Sequence, residues 1–321
     1  MYKQHVRNIS ETRRNDLRTR LGPTLYRQRQ NLQLHHSTHV FDRHGQTFTH
    51  LENVETLHTV LRLLLKATGL YGLGLRNFLD IRVEENEFRL AGLPRVFDGF
   101  TILQLSDLHL DLEPRLCEAI SERIEGLEYD LCVITGDFRD KTIGSFTRTR
   151  ELMAKVMPHI RPPAYAILGN HDFIEIVPDL EEMGLRFLLN ENAMIERDGA
   201  AIYLVGIDDP HFYETDNFEG ACRDVPHDAV TLLLAHTPEV YRQAAACGLD
   251  IMLCGHTHGG QICLPGGLAL VHNTVAPRRM NIGAWQFNAL QGYTSRGTGS
   301  SGVPARFNCP PEVTLHRLKR A

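Results

Sequence analysis

Leu253-Cys254-Gly255-His256-Thr257-His258-Gly259-Gly260-Gln261 closes an apolar run that starts at Ile251. Ile251-Met252-Leu253-Cys254 reads as the end of a buried strand. Gly255 stops it, and two histidines follow with one residue between them. In extended or turn backbone, residues i and i+2 point the same way, so two imidazoles so placed can grip two cations lying side by side. The three glycines around them let the backbone approach whatever is bound. Taken alone, the pair is equally a chance occurrence in a chain with 17 histidines. The rest of the chain decides.

Four other apolar runs end in the same manner. Ile102-Leu103-Gln104-Leu105-Ser106 runs into Asp107-Leu108-His109, and Leu131-Cys132-Val133-Ile134-Thr135 into Gly136-Asp137-Phe138-Arg139-Asp140. Tyr165-Ala166-Ile167-Leu168 runs into Gly169-Asn170-His171-Asp172, and Val230-Thr231-Leu232-Leu233-Leu234-Ala235 into His236-Thr237-Pro238-Glu239. Each strand thus ends in a short loop bearing a carboxylate, an amide or an imidazole. In an α/β sheet, ligands bind outside the carboxyl ends of the strands, so all five clusters should face one crevice. Carboxylate, imidazole and amide oxygen, with no thiolate, suit divalent Mn, Fe, Zn or Ni. The pattern by itself gives an α/β fold.

Asp-x-His, Gly-Asp-x-x-Asp, Gly-Asn-His-Asp, a lone His after a strand and Gly-His-x-His, in that order, resemble the calcineurin-like metallophosphoesterases. All five motifs are present between 107 and 258 without a departure. Gly259-Gly260-Gln261, Ser295-Arg296-Gly297 and Cys309-Pro310-Pro311-Glu312 are similar to segments of a bacterial branch of small phosphodiesterases. Some members of that branch cleave the pyrophosphate of a UDP-diacylglucosamine lipid precursor. The resemblance spans 83–321 and leaves the N-terminal quarter unexplained.

The resemblance implies a four-layer αββα sandwich of two mixed β-sheets. It places one cation on Asp107, His109, Asp137 and His258, and another on Asp137, Asn170, His236 and His256. Mn is the first choice of metal, with Fe, Zn or Ni as alternatives. Two such cations generate a hydroxide and clamp the phosphoryl oxygens. His171, without a metal in this scheme, would protonate the leaving oxygen or stabilise the transition state, with Asp172 orienting it from behind and Asp140 outside the ligand set. Arg139 and Arg296 are expected as phosphate contacts, with Arg278 and Arg279 weaker candidates, because guanidinium presents a planar fork to phosphate oxygens. A solvated surface position serves any one of these arginines equally well. His211, His227 and His272 are read as structural. The expected reaction is hydrolysis of a phosphodiester or pyrophosphate bond, on a lipid-linked nucleotide sugar such as UDP-diacylglucosamine or on soluble diesters.

Composition bounds the alternatives. The 321 residues are 42% hydrophobic and 23% charged, ordinary for a globular protein. The net charge of −5 hides an asymmetry: residues 1–37 carry eight Lys/Arg against Glu11 and Asp16, a balance of +6, which leaves −11 for the remainder. An acidic body argues against nucleic acid as partner, and aromatic stacking platforms with basic tracks are missing. An inactive scaffold would show a lost ligand, and none is lost. The basic arm suits an anionic membrane surface, or is a solvated helix. Seven scattered cysteines without Cys-x-x-Cys imply no disulfide framework. With no apolar leader, a cytoplasmic protein is expected, peripheral on the inner membrane face if the arm binds lipid.

Along the chain, Ser10-Glu11-Thr12 opens a helix that Gly22-Pro23 stops, and a second runs from Thr24 to about Leu34. Residues 35–50 read as irregular. From 54 to 75 the pattern is one amphipathic helix, with Leu57, Val60, Leu61, Leu64 and Tyr71 on one face and His58, Arg62 and Lys66 on the other. It either packs on its own protein or lies at a membrane interface. Phe78–Leu90 reads as a strand. The division expected is a basic helical extension, 1–80, and a catalytic domain, 81–321. Gly297-Thr298-Gly299-Ser300-Ser301-Gly302 matches G-x-G-x-x-G but lacks the helix a dinucleotide site needs, so it reads as a rim loop.

Overall fold

Burial on both faces explains why the motif strands are unbroken apolar runs. The structure, a computed structural model, describes residues 9–34, 39–41, 47–49, 55–269 and 273–321. Its strands are a short hairpin, β1 (His39–Phe41) and β2 (Thr47–Thr49), then β3 (Arg82–Leu90), β4 (Thr101–Leu105), β5 (Leu131–Thr135), β6 (Ala164–Ile167) and β7 (Arg186–Phe187). There follow β8 (Glu191–Arg197), β9 (Ala200–Gly206), β10 (Thr231–Leu234), β11 (Ile251–Cys254), β12 (Cys263–Leu264), β13 (Leu268–Ala269), β14 (Gly283–Phe287), β15 (Leu290–Thr294) and β16 (Glu312–Arg320). One six-stranded sheet has the order β3-β16-β4-β5-β6-β7 and the other β14-β15-β11-β10-β9-β8. Both are mixed: β4 to β7 run parallel while β16 meets β4 antiparallel, and β9, β10, β11 and β15 run parallel between antiparallel edges.

Alternate residues of one strand reach different cores. Leu131 and Val133 of β5 meet Leu232, Leu234, Ile251 and Leu253 between the sheets. Cys132 and Ile134 face an outer layer of helices, while Leu233, Met252 and Cys254 pack outward against Tyr241 and Ala244 on the opposite side. The order helix, sheet, sheet, helix is the expected αββα sandwich.

The helices of the N-terminal region are α1 (Glu11–Leu21), α2 (Pro23–Leu34), α3 (Glu55–Ala67) and α4 (Tyr71–Leu79). Ser10 caps α1 by accepting from the Arg13 amide. Leu17, Leu21 and Tyr26 are buried in the same core as Leu103 and Ile134. The arm's cations turn toward the acidic body: Arg13 pairs with Asp179 and Glu182, and Arg20 with Glu181 and Glu191. Those arginines are thereby neutralised on the protein itself.

Several local expectations are corrected. The single helix over 54–75 is two, because Thr68 Oγ1 donates back to the Leu64 carbonyl and Gly69 turns left-handed at φ 72°. Leu61, Leu65 and Tyr71 pack on Val303, Ala305 and Phe307, whereas Val60 and Leu64, expected on that face, are more than half exposed. The side chain of Leu57 lies outside the described residues. Phe78 belongs to α4, where helical packing buries it completely, and the strand begins at Arg82. Within 35–50, β1 and β2 pair antiparallel, with the other residues outside the described ones. The 297–302 loop seats on the first ligand loop, its Thr298 and Gly299 amides donating to the carbonyls of Ser106 and Asp107.

Candidate metal centre

Each ligand loop leaves its strand by a sharp turn. Asp107, His109, Asp137, His256 and His258 have φ of 52°, 43°, 58°, 70° and 49°, a left-handed backbone that is uncommon and costly outside glycine. Bonds between the loops hold it: the Asp107 amide donates to the Gly136 carbonyl, His109 to Asp137, and Gly255 to His236. The approach is so close that a Cβ on Gly169 would lie 2.2 Å from Asp137 Oδ1, and one on Gly255 1.9 Å from Ser106 Oγ. Only glycine fits at either position.

The seven expected ligands converge. Asp137 Oδ2 lies 3.5 Å from His109 Nε2 and 3.3 Å from His236 Nε2. On one side, His109 Nε2 is 3.2 Å from His258 Nε2, which is 3.6 Å from Asp107 Oδ1. On the other, Asn170 Oδ1 is 2.9 Å from His236 Nε2 and 3.0 Å from His256 Nδ1. Backbone carbonyls of Arg139, Thr135 and Asn273 accept from the far nitrogens of His109, His236 and His256 at 2.7–2.8 Å. That fixes each ring so that its inner nitrogen offers a lone pair to a cation once any proton on it is released. Lone pairs of carboxylate, imidazole and amide oxygen facing one another at these distances, without thiolate, are what divalent cations need. The residues fit the metals.

Charge gives the same answer. Burial pushes Asp107 up to about 6 and the His109 imidazole down to about 3. Burial also opposes the charge of Asp137, yet His236, His171 and His109 hold it well below the ordinary carboxylate range. Burial would lower His236, but the Asp137 carboxylate raises it to about 10. A proton on His236 thus partly neutralises Asp137, and cation binding would release it.

His171 lies beside these groups. Its Nδ1 contacts the Asp140 carbonyl, its Nε2 is 3.9 Å from Asp137 Oδ2, and its ring meets His109 edge-on at 4.8 Å. Asp172 does not orient it. The Asp172 carboxylate instead accepts from the amides of Asp137, Phe138 and Gly169, at 2.8, 2.9 and 2.9 Å, and so fixes two ligand loops. Asp140 stands outside the ligands, accepting from the Gly302 amide. Arg139 is turned from the centre: its guanidinium lies over Phe173 and donates to the Ile143 carbonyl. Arg296 is committed to Glu312 and Glu84. Among the histidines read as structural, His227 is exposed and His272 lies outside the described residues.

Three neighbours escape a reading of the motifs. Fully buried Arg306 donates to the His258 carbonyl at 2.9 Å and sets Nη2 3.2 Å from His258 Nδ1. Arg29, from α2, reaches Asp208 at 2.8 Å and the Asp172 carbonyl at 2.9 Å. His211, paired to Glu239 at 3.0 Å, lays its ring 4.2 Å from that of His256. No local pattern in the sequence marks these three.

Fold and centre together define a metal-dependent phosphoester hydrolase. Residues 100–260 match the calcineurin-like phosphoesterases, and the chain belongs to that family, whose members work with two metals. It is similar to the uncharacterized metallophosphoesterase YkoQ of Bacillus subtilis (strain 168), 31% identical over 76% of this chain and 92% of that protein. It is also similar to the phosphodiesterase YaeI of Escherichia coli (strain K12), 32% identical over 68% of this chain and 82% of YaeI. Among the described residues no helix is long and apolar enough to cross a membrane.

Proposed function

We propose that this chain hydrolyses phosphodiester or pyrophosphate bonds at a two-cation centre, with Asp137 bridging. The observation that carries the reading is the place of Asp137 Oδ2, 3.5 Å from His109 Nε2 and 3.3 Å from His236 Nε2, one histidine of each proposed ligand set. When bound, two divalent cations supply water activation and draw charge from the phosphoryl oxygens. Asp107, His109 and His258 complete one ligand set, and Asn170, His236 and His256 the other. His171 Nδ1 donates to the Asp140 carbonyl, which holds the ring in place, and Nε2 of the doubly protonated ring would give its proton to the leaving oxygen. Mn²⁺ is the metal to load first, with Fe, Zn and Ni next.

Preference for a diester rests on the likeness to a protein named a phosphodiesterase. Within that class the substrate put forward is a lipid-linked nucleotide sugar such as UDP-diacylglucosamine, supported by the resemblance of the glycine-rich closing segments. A cytoplasmic setting suits the seven free thiols. Turnover with Mn²⁺ on a lipid UDP-sugar, an aryl phosphodiester and an aryl phosphomonoester tests the whole proposal. The two diester-type substrates should outpace the monoester. A faster monoester would remove the diester reading, and an idle lipid substrate would remove the sugar.

A further inference from the structure

Helix α3 is turned the wrong way round for a surface helix. Its inner side carries Leu61 and Leu65, which rest on Val303 and Ala305. Its outer side carries Val60, Leu63 and Leu64, which are 54%, 60% and 57% exposed. An ordinary surface helix puts polar residues there. Leu70 and Leu73, just beyond the turn at Gly69, are exposed as well. Apolar side chains clustered in this way on a surface mark an interaction site.

Charge identifies what covers it. Between Glu55 and Asp80 the chain has Arg62, Lys66 and Arg76 and no carboxylate. A second copy of the chain, related by a two-fold axis, would set the same patch against itself and bring these cations together with nothing in the segment to offset them. An anionic lipid surface satisfies both features, taking the leucines into its acyl boundary and attracting the cations at headgroup level.

The patch is mechanically close to the centre. The His58 ring on α3 lies against Gly302, where an added Cβ would come within 2.5 Å of it. The Gly302 amide donates to Asp140 Oδ1 at 2.7 Å, and the Asp140 carbonyl holds His171. We infer that α3 and the start of α4 dock this protein on an anionic bilayer, with the rim of the metal centre facing the headgroups. A substrate anchored in that bilayer would meet the centre without leaving it. The docking does not depend on the proposed hydrolysis, and vesicle binding is measured without substrate.

The test is sedimentation of the metal-loaded full chain with vesicles of phosphatidylcholine alone and of phosphatidylcholine with phosphatidylglycerol. The protein should pellet with the anionic vesicles and stay in solution with the neutral ones. A variant carrying Val60→Ser, Leu63→Ser and Leu64→Ser should bind anionic vesicles at least about tenfold more weakly. Arg62→Gln with Lys66→Gln should lower binding by roughly fivefold for each charge removed. Both variants should keep the wild-type circular dichroism spectrum and thermal unfolding midpoint, which shows that they are folded. Wild-type protein that fails to pellet with anionic vesicles overturns the proposal. So does a stable wild-type dimer that the serine variant converts to monomer, since a second copy would then cover the face.

Discussion

At the scale of single residues, the proposed reaction gives His171 and Asp137 different tasks. Asp137 Oδ2 sits between two ligand sets, whereas His171 touches that carboxylate only at 3.9 Å and is held through its other nitrogen. His171→Ala should therefore lower turnover by roughly 10²–10⁴-fold, the range for a lost general acid, while elemental analysis finds its metal content unchanged. Metal lost in proportion to activity would make His171 a ligand. The seven residues that converge were legible because each follows an apolar strand end closely, where side-chain direction is set by the turn. Asp172 was misread because adjacency to His171 suggested contact, while the left-handed turn at Asp137 brings the Asp137 and Phe138 amides to its carboxylate, which also takes the Gly169 amide of its own loop. Arg306 was illegible for a related reason. Its partner His258 is 48 residues away, and nothing local marks a buried guanidinium.

Among the elements, β16 carries a buried titratable group that the site does not use. His316 is fully buried, its Nε2 donating to Gln104 Oε1 at 2.8 Å and its Nδ1 accepting from Asn86 at 3.2 Å. Burial lowers its pKa from 6.5 to about 3. Above 6.5 the ring is neutral whether the chain is folded or not. Below 6.5 the unfolded chain binds a proton that the folded one refuses, so stability falls by about 1.4 kcal/mol per pH unit until the folded pKa is reached. Denaturation midpoints between pH 6.5 and 5 should fall less steeply in His316→Gln than in wild type, and equal slopes would contradict this reading. The elements most visible in the sequence were those with one strong pattern: the motif strands, and α1 with its Ser10 cap and Gly22-Pro23 stop. The helix pair α3–α4 was less visible, since helical periodicity runs through Gly69 and cannot show which apolar face the body covers.

In the whole molecule the N-terminal arm and the metal centre are joined. Arg29 enters from α2, is fully buried, pairs with Asp208, and bonds the carbonyl of Asp172, whose carboxylate fixes the Asp137 loop. Arg29→Ala leaves Asp208 as an uncompensated buried charge, and should cost about 3–5 kcal/mol of stability in denaturant unfolding. A loss under about 1 kcal/mol would show that water or rearrangement replaces the guanidinium. The sequence shows the arm's excess of positive charge but not its destination, because ion pairs such as Arg20–Glu191 join residues 171 positions apart. Strand runs apolar on both faces made an α/β fold legible, whereas the αββα layering was implied only by the resemblance of the motifs.

The claim on which all this rests is that seven residues form one site for two cations. It is tested most directly by the metal-to-protein ratio of the full chain after loading with Mn²⁺ and removal of free metal, measured for wild type and for Asp137→Ala. If Asp137 holds both cations, as proposed, wild type should carry close to two equivalents and the variant should lose most of both. At most one equivalent in fully loaded wild type, or a variant that keeps both metals, would contradict it.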